Sequence, residues 1–191
     1  MSVGIVVLAA GEAKRFGSAK LIVPIDGVPL VRRAALAALG VAARVVVVTG
    51  AHRESVESCI VDLAVARVFN ANWEDGMGGS IACGIGALDH CDAAIIALAD
   101  QALIGAEEFA ALIDAHRLAP GRIIAAKFDD VLGPPCLFPR RYCAELAALH
   151  GDCGARALLR RHAQHVMPLS MPAASLDIDT PQDLSAFTSR A

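Results

Sequence analysis

Runs of mostly apolar residues alternate with amphipathic segments along the first two thirds of the chain, and this alternation restricts the fold more than any other feature. A strand that is apolar on both faces needs cover on both sides, which a parallel sheet between two layers of helices provides. The pattern predicts a doubly wound, three-layer α/β fold with a mostly parallel, Rossmann-like sheet and right-handed crossovers. The predicted strands are Gly4–Leu8, Arg44–Thr49, Arg67–Asn70, Ala93–Leu98 and Arg122–Ala126, and the predicted helices are Leu30–Leu39, Ser55–Ala64, Ser80–Leu88 and Ala106–Arg117.

The alternation changes in the last third of the chain. Asp129–Phe138 is strand-like, but it contains Gly133-Pro134-Pro135. Because proline cannot donate to a β-ladder, this segment is predicted to be an edge strand or a β excursion. Thr180, followed by Pro181 and Asp183, has the spacing of a helix N-cap and predicts a terminal helix. Two more helices and a strand are predicted at Arg140–His150, Gly154–Ala163 and Val166–Leu169.

Composition favours a single compact domain over residues 1–191. Apolar residues make up 55% of the chain and charged residues 19%, which is typical of an α/β core. The net charge of −3 provides no general attraction to nucleic acid or to an anionic membrane, and no apolar run reaches the ~18–20 residues that span a bilayer. The six cysteines lack C-x-x-C and zinc spacings. Without a signal-peptide pattern, these features favour reduced thiols and a cytoplasmic protein.

The turn after the first predicted strand carries the strongest functional signal. Gly11 and Gly17 free the backbone to approach a ligand, and Lys14, Arg15 and Lys20 add positive charge. The spacing is not that of a Walker A motif, because five residues separate the two glycines, and it is not G-x-G-x-x-G. A glycine turn with solvated cations is the simpler interpretation. The spacing of the cations favours a site for a phosphorylated small molecule.

Two later loops are predicted to end at the same edge of the sheet. Asp100 follows the strand Ala93–Leu98, and a carboxylate at the tip of a buried strand needs a cation or metal partner unless it caps a turn. Magnesium suits this position, since it takes one or two carboxylates together with substrate phosphates. In the other loop, glycines before Ser80 open a helix whose free N–H groups can face a ligand. Trp73 in that loop either covers the core edge or contacts substrate.

Six segments of the chain carry a family resemblance. They are Leu8-Ala9-Ala10-Gly11 with Arg15-Phe16-Gly17 and Lys20, Val48-Thr49-Gly50-Ala51, Asn72-Trp73-Glu74-Asp75-Gly76-Met77-Gly78, Leu98-Ala99-Asp100-Gln101, Gly151-Asp152-Cys153-Gly154-Ala155-Arg156, and Asp177-Ile178-Asp179-Thr180-Pro181-Gln182-Asp183-Leu184. Over nearly the whole chain they resemble the molybdenum cofactor cytidylyltransferases within the MobA-like NTP transferase superfamily. The resemblance implies a nucleotide-diphospho-sugar transferase-like fold, and transfer of CMP from CTP to molybdopterin or molybdenum cofactor with release of pyrophosphate. The implied cofactor is Mg²⁺, and the implied partners are CTP, a phosphorylated pterin and a molybdenum hydroxylase.

The resemblance also assigns roles to individual residues. Arg15 and Lys20 would neutralise the triphosphate and Asp100 would bind magnesium, so Asp100→Ala is expected to abolish turnover without destabilising the fold. Asp179 would be a second metal ligand or a cap of the terminal helix. Asp152 and Arg156 would contact the acceptor, with helix capping as the alternative for Asp152. The nucleotide would be bound by Leu8, Ala9, Ala10, Gly11, Lys20, Thr49, Gly76 and Ser80.

The identity of the base and of the acceptor is less constrained. Relatives that use CTP carry Leu-Ala-Ala-Gly at the first turn and guanylyl-transferring relatives carry Leu-Ala-Gly-Gly, so Ala10 favours CTP. Pro134 and Ala102 depart from the family pattern near the expected acceptor side, and Gly79 stands where serine is common. Three alternatives stay open: transfer to a different acceptor, a cofactor-binding chaperone, and an NAD(P)H-dependent oxidoreductase of a heterocyclic pigment of the nicotine-blue type.

Overall fold

The computed structural model describes residues 1–13, 16–17, 19–88, 90–178, 180 and 182–183. Within these residues, a seven-stranded sheet and a two-stranded ribbon are accompanied by helices. The strands are β1 (Val3–Ala9), β2 (Pro24–Ile25), β3 (Val28–Pro29), β4 (Arg44–Thr49), β5 (Ala66–Phe69), β6 (Ala93–Leu98), β7 (Ile123–Phe128), β8 (Val131–Pro139) and β9 (Val166–Ser170). The α-helices are α1 (Leu30–Leu39), α2 (Arg53–Ser58), α3 (Met77–Ala87), α4 (Ala106–Leu118), α5 (Cys143–Ala147) and α6 (Ala155–Arg161).

The sheet confirms the predicted fold class. The strand order is β5-β4-β1-β6-β8-β7-β9. β5, β4, β1 and β6 are parallel neighbours, β8 is antiparallel to β6 and β7, and β9 is parallel to β7. Because the four neighbouring strands run in one direction, their carboxyl ends lie at a single edge of the sheet. Ligands of open α/β sheets bind at this edge.

The proline-containing segment corrects one prediction. β8 is not an edge strand; it lies inside the sheet, between β6 and β7. Its ladder with β6 runs only from Pro139 to Cys136, and in its ladder with β7 the register shifts so that Cys136 and Gly133 face consecutive β7 residues. Pro134 and Pro135 therefore stand in a bulge, where no N–H is needed for pairing. The bulge lets an interior strand contain two prolines.

Two helix predictions are too long. The helix predicted over Ser55–Ala64 ends earlier, as α2, and the one predicted over Arg140–His150 is a 3₁₀ turn followed by the short α5. No helix within the described part of the chain is both long and apolar enough to cross a bilayer. At the C-terminus, the Thr180 hydroxyl accepts from the Asp183 amide at 3.2 Å, and the Asp183 carboxylate accepts from the Thr180 amide at 2.7 Å. This confirms the predicted capping pair, whereas Pro181 and residues 184–191 lie outside the described residues.

Side chains of the central strands build a separate core on each face of the sheet. In β1, Ile5 and Val7 pack with α1 and α4, whereas Val6 and Leu8 pack with α3, α5 and α6. The alternation follows from the twofold repeat of a strand, which turns successive side chains to opposite faces. Both faces are buried, as the mostly apolar runs predict, and this rigid support fixes the loops at the carboxyl edge of the sheet.

Helix α3 packs unusually close to the sheet, because Gly84 has no side chain. A Cβ atom at Gly84 would overlap the Val6 side chain and lie 3.0 Å from Val48 Cγ2. Both valines are stiff at χ1 and cannot easily move away. We expect Gly84→Ala to lower the free energy of unfolding by about 1–3 kcal/mol, measured by urea denaturation.

Gly86 provides a matched control on the same helix. A Cβ at Gly86 would have no heavy atom within 4 Å, so Gly86→Ala is expected to raise the free energy of unfolding by up to about 1 kcal/mol through helix propensity. Equal effects of the two substitutions would contradict the close packing of Gly84 on β1 and β4.

Candidate active site

A cleft of about 870 Å³ opens at the carboxyl edge of the sheet, above the ends of β1 and β6. The turn after β1 forms one wall, and the loop before α3, together with Asp152 from the loop before α6, forms another. The cleft thus combines residues that are far apart in the sequence. Of the residues predicted to bind ligands, it brings together Leu8, Ala9, Ala10, Gly11, Lys20, Gly76, Ser80, Asp100 and Asp152.

The turn after β1 is held in place by the loop after β4. The Ala51 amide donates to the Ala10 carbonyl at 3.1 Å, and a Cβ at Gly50 would lie only 2.8 Å from the Cβ atoms of Ala10 and Trp73. Glycine is therefore required at position 50 so that the two loops can touch. The Val48-Thr49-Gly50-Ala51 motif supports the wall of the cleft from behind.

Thr49 lies outside the cleft lining that the structure describes. Its side chain is completely buried, and its hydroxyl donates to Glu57 Oε1 at 3.0 Å. Thr49 therefore joins the end of β4 to α2 and has no contact surface toward the cleft. The sequence pattern identified the right loop, but it could not show to which side the threonine points.

An ion pair lies at the floor of the cleft. Lys20 Nζ and Asp100 Oδ2 are 2.6 Å apart, and the two side chains are 11% and 21% exposed. The 3₁₀ turn Lys20–Ile22 presents the lysine, and Asp100 follows the last residues of β6. The sequence analysis predicted a role for each residue separately. The structure joins them across 80 positions of the chain.

Asp100 has the features of a ligand for a divalent metal. Its second oxygen, Oδ1, is buried and has no hydrogen-bond partner among the described residues. No group of three or more potential metal ligands occurs in the described part of the chain. A single carboxylate suits Mg²⁺, because Mg²⁺ usually binds through one or two protein carboxylates together with substrate phosphates. It does not suit a metal ion that takes all of its ligands from the protein.

A segment near the C-terminus packs beside Asp100. The Ile178 amide donates to the Asp100 carbonyl oxygen at 3.1 Å, and Gln101 forms a β-bridge with Asp177. Asp179, the predicted second carboxylate, and Arg15, the predicted triphosphate ligand, lie outside the described residues. Their roles stay predictions.

The loop before α3 docks on the turn before α6. Gly76 has φ +119°, and a Cβ there would lie 2.5 Å from the Gly151 carbonyl carbon. The Gly78 amide donates to the Gly151 carbonyl oxygen at 2.9 Å. Asp152 directly follows Gly151, and both Asp152 and Met77 line the cleft. The α6 N-cap is Gly154, without a side-chain capping hydrogen bond, so Asp152 does not cap that helix.

Arg156 lies beside the bulge of β8 and outside the lining of the cleft. A Cβ at Gly133 would stand 3.1 Å from Arg156 Nε, so the guanidinium packs on the glycine that precedes the two prolines. Trp73 packs on the core, as one of its two predicted roles requires, and it also lines the cleft. Its contact with substrate stays a prediction.

The sequence analysis missed one polar pair in the cleft wall. Asn70 and Ser80 are each 4% exposed, and Asn70 Nδ2 donates to Ser80 Oγ at 3.0 Å. The sequence analysis assigns Ser80 to nucleotide binding and gives Asn70 no role. The only sequence signal for Asn70 is that it is a polar residue directly after the residues that form β5. Polar residues are common in turns, so this signal is weak.

Cysteine chemistry does not contribute to this cleft. Burial raises the pKa of the Cys136 thiol well above its usual range, so this residue beside the β8 bulge is not an activated nucleophile. No disulfide forms within the described part of the chain. None of the six cysteines is part of the cleft lining.

A cleft at the carboxyl ends of the strands, with a glycine turn after the first strand and a carboxylate after a neighbouring one, is typical of ligand-binding α/β proteins. The model of the MobA-like NTP transferase domain matches residues 5–166, and the chain belongs to this family. It is accordingly a nucleotidyltransferase by class.

A relative of known sequence and several solved structures are similar to this chain. The chain is 30% identical to the purine catabolism protein PucB of Bacillus subtilis (strain 168) over 192 residues, covering 93% of this chain and 92% of PucB. The fold is that of Rv0371c from Mycobacterium tuberculosis H37Rv, with a TM-score of 0.84, 22% identity and coverage of 99% and 98%; that protein has also been solved in complex with manganese. A CMP:2-keto-3-deoxy-manno-octonic acid synthetase complexed with CTP has the same fold, with a TM-score of 0.80, 14% identity and coverage of 100% and 98%.

Proposed function

We propose that the protein transfers CMP from CTP to molybdopterin or its molybdenum form and releases pyrophosphate. The observation that carries the proposal is the Lys20–Asp100 pair at the floor of a cleft whose wall is the Ala9–Gly11 turn. A nucleoside triphosphate needs a cation for its phosphates, an oxygen ligand for a metal, and backbone that approaches closely. These residues supply all three.

The reaction is a substitution at the α-phosphorus of CTP. A phosphate oxygen of the acceptor forms the new bond to phosphorus, the bond to the bridging oxygen of the β-phosphate breaks, and pyrophosphate leaves with that oxygen. Such a reaction depends on positioning and charge neutralisation. Lys20 would move from Asp100 to the triphosphate, together with Arg15, and neutralise charge on the leaving group.

A divalent metal completes this arrangement. Asp100 would hold it through its buried, unpartnered Oδ1, and we propose Asp179 as the second carboxylate. When bound, Mg²⁺ polarises the phosphoryl oxygens and stabilises developing negative charge. The manganese complex of Rv0371c supports a divalent metal in a protein of this fold.

The choice of CTP rests on the turn after β1. Ala10 lines the cleft, with its methyl group toward Gly50. The turn carries Leu8-Ala9-Ala10-Gly11, the pattern of relatives that use CTP, so the resemblance favours a cytidine nucleotide. The CTP complex of the synthetase with the same fold supports a cytidine nucleotide at such a site. Leu8, Gly76 and Ser80 would complete the nucleotide site.

The acceptor would approach from the opposite wall. Asp152 lines the cleft there, and Arg156 lies beside the β8 bulge, from which its guanidinium could reach an anionic acceptor. A phosphorylated pterin supplies both the attacking phosphate and a flat ring for these groups. We further propose a molybdenum hydroxylase as the recipient of the product, and a cytoplasmic location, where CTP and reduced thiols are available.

Nucleotide-dependent thermal stability tests the proposal. With Mg²⁺, CTP at about one hundred times its Kd is expected to raise Tm by roughly 5–10 °C, and GTP at the same concentration is expected to raise Tm less. NADPH is expected to leave Tm unchanged. Pyrophosphate should then be released when CTP is mixed with molybdenum cofactor and not with CTP alone.

Each alternative gives a different result in the same assays. Stabilisation by NADPH without a metal would overturn the proposal in favour of the oxidoreductase. Binding of the cofactor without pyrophosphate release would favour a chaperone. Stabilisation by CTP without turnover on the pterin would point to a different phosphorylated acceptor.

A further inference from the structure

The buried Asn70–Ser80 pair has a defined direction. Asn70 follows β5, and its backbone amide donates to the Thr49 carbonyl at 2.9 Å, which ties it to the neighbouring strand. Its side-chain Oδ1 accepts from the Asn72 amide at 3.0 Å, and its Nδ2 donates to Ser80 Oγ at 3.0 Å. Because a backbone N–H can only donate, Oδ1 must face Asn72 and Nδ2 must face Ser80.

This direction determines what Ser80 can offer to a ligand. A hydroxyl has one proton to donate and lone pairs that accept. Because Asn70 Nδ2 donates to Ser80 Oγ, the hydroxyl proton must point away from the Asn70 amide. Ser80 lines the cleft although it is 4% exposed. The hydroxyl is therefore set to donate into the cleft.

We propose that Asn70 is a positioning residue for base recognition: it orients the Ser80 hydroxyl as a hydrogen-bond donor to the acceptor edge of the pyrimidine, at O2 or N3 of cytosine. The inference rests on the proposed binding of CTP, and it adds a residue that does not itself touch the nucleotide. A donor held by a buried partner binds with little loss of rotational freedom, which favours both affinity and selectivity.

Asn70→Asp reverses this direction with nearly the same side-chain shape. It also adds a negative charge, and a ligand without a base controls for that charge. An aspartate still accepts from the Asn72 amide, but its other oxygen accepts the Ser80 proton, so the hydroxyl presents a lone pair to the base. Isothermal titration of the whole protein with CTP and Mg²⁺ measures the consequence. We expect Ser80→Ala to raise the Kd for CTP about tenfold, and Asn70→Asp to raise it by about tenfold or more.

The double variant and a ligand without a base separate positioning from a structural role. In a Ser80→Ala background, Asn70→Asp is expected to change the Kd for CTP less than about twofold, because the hydroxyl that it reorients is absent. Inorganic triphosphate with Mg²⁺ is expected to bind the wild type and Asn70→Asp equally. A merely structural role of Asn70, or repulsion by the added carboxylate, would weaken the binding of CTP and of triphosphate alike, and would do so in both backgrounds.

The outcomes distinguish failure of this inference from failure of the proposed function. Unchanged CTP affinity of Asn70→Asp, or an equal loss in the Ser80→Ala background, overturns the role of Asn70 and leaves CTP binding standing. If wild-type protein binds triphosphate but not CTP, the proposed function and this inference both fall. Should Asn70→Asp not fold, Asn70→Ala in both backgrounds gives the same test, with a smaller expected rise in the Kd for CTP.

Discussion

Asp100→Asn is expected to lower the rate of nucleotidyl transfer by about 10²–10³-fold or more and to destabilise the fold at the same time. The activity falls because the amide keeps the shape of the side chain but removes the charge that holds a divalent cation. Pyrophosphate release at saturating CTP measures this loss. From the sequence alone, Asp100→Ala is expected to abolish turnover and to leave stability near the wild type. The ion pair with Lys20 changes the expectation for stability.

The destabilisation follows from Lys20. Its ammonium lies 2.6 Å from Asp100 Oδ2, and the two side chains are 11% and 21% exposed. Removal of one member of a buried ion pair costs about 3–5 kcal/mol. The partial exposure of both side chains, together with a further interaction of Lys20, reduces the expected cost to about 2–3 kcal/mol. Urea denaturation of the ligand-free protein measures it.

A double variant separates the two effects. Asp100→Asn combined with Lys20→Met removes both charges, so most of the lost unfolding free energy should return while turnover stays absent. Recovery of turnover in the double variant would contradict the proposed roles of both residues. A single Asp100→Asn variant with wild-type stability would show that the pair contributes nothing to the folded state.

Gly76→Ala is expected to lower the free energy of unfolding by about 3 kcal/mol or more and to abolish CTP binding. Gly76 has φ +119°, a backbone conformation that residues with a side chain rarely adopt. A Cβ at this position would lie 2.5 Å from the Gly151 carbonyl carbon and 2.7 Å from the Asp152 amide nitrogen. These neighbours are backbone atoms, so they cannot rotate away. The loop before α3 would separate from the turn that carries Asp152, and the wall of the cleft would open.

Gly11→Ala is the matched control for stability. It lies in the same cleft, has no positive φ, and a Cβ there would have no heavy atom within 4 Å. Its free energy of unfolding is expected to stay within about 0.5 kcal/mol of the wild type. Thermal and urea unfolding of both variants without nucleotide measure the difference. Equal stability of Gly76→Ala and Gly11→Ala would contradict the docking of residue 76 on residue 151.

Part of the fold could be predicted because local pattern and tertiary environment agree. The runs that became β1, β4 and β6 are apolar on both faces, and this pattern arises only where helices cover both sides of a sheet. β8 could not be placed in the same way. Its two prolines argue for an edge when they are considered alone, and only the register with β7 shows that a bulge removes them from the ladder.

The functional site, like the fold, could be predicted only in part. The turn after β1 and Asp100 were identified because each has an unusual composition within a few residues of a strand end. Thr49 was assigned to the nucleotide although its hydroxyl binds Glu57, because a sequence gives the loop and not the direction of a side chain. Asn70 received no role, because a sequence cannot show that its amide donates to a residue of the helix that starts seven residues later.

The sequence by itself determined the class of fold, the edge of the sheet where chemistry occurs, and the residue types that reach it, because these depend on periodicity and on the ends of strands. The tertiary structure alone decided which of those residues act together. Lys20 meets Asp100 across 80 positions, and Gly76 meets Gly151 through backbone contact. Such contacts depend on how loops from different βα units pack against one another, and a local sequence pattern does not predict that packing.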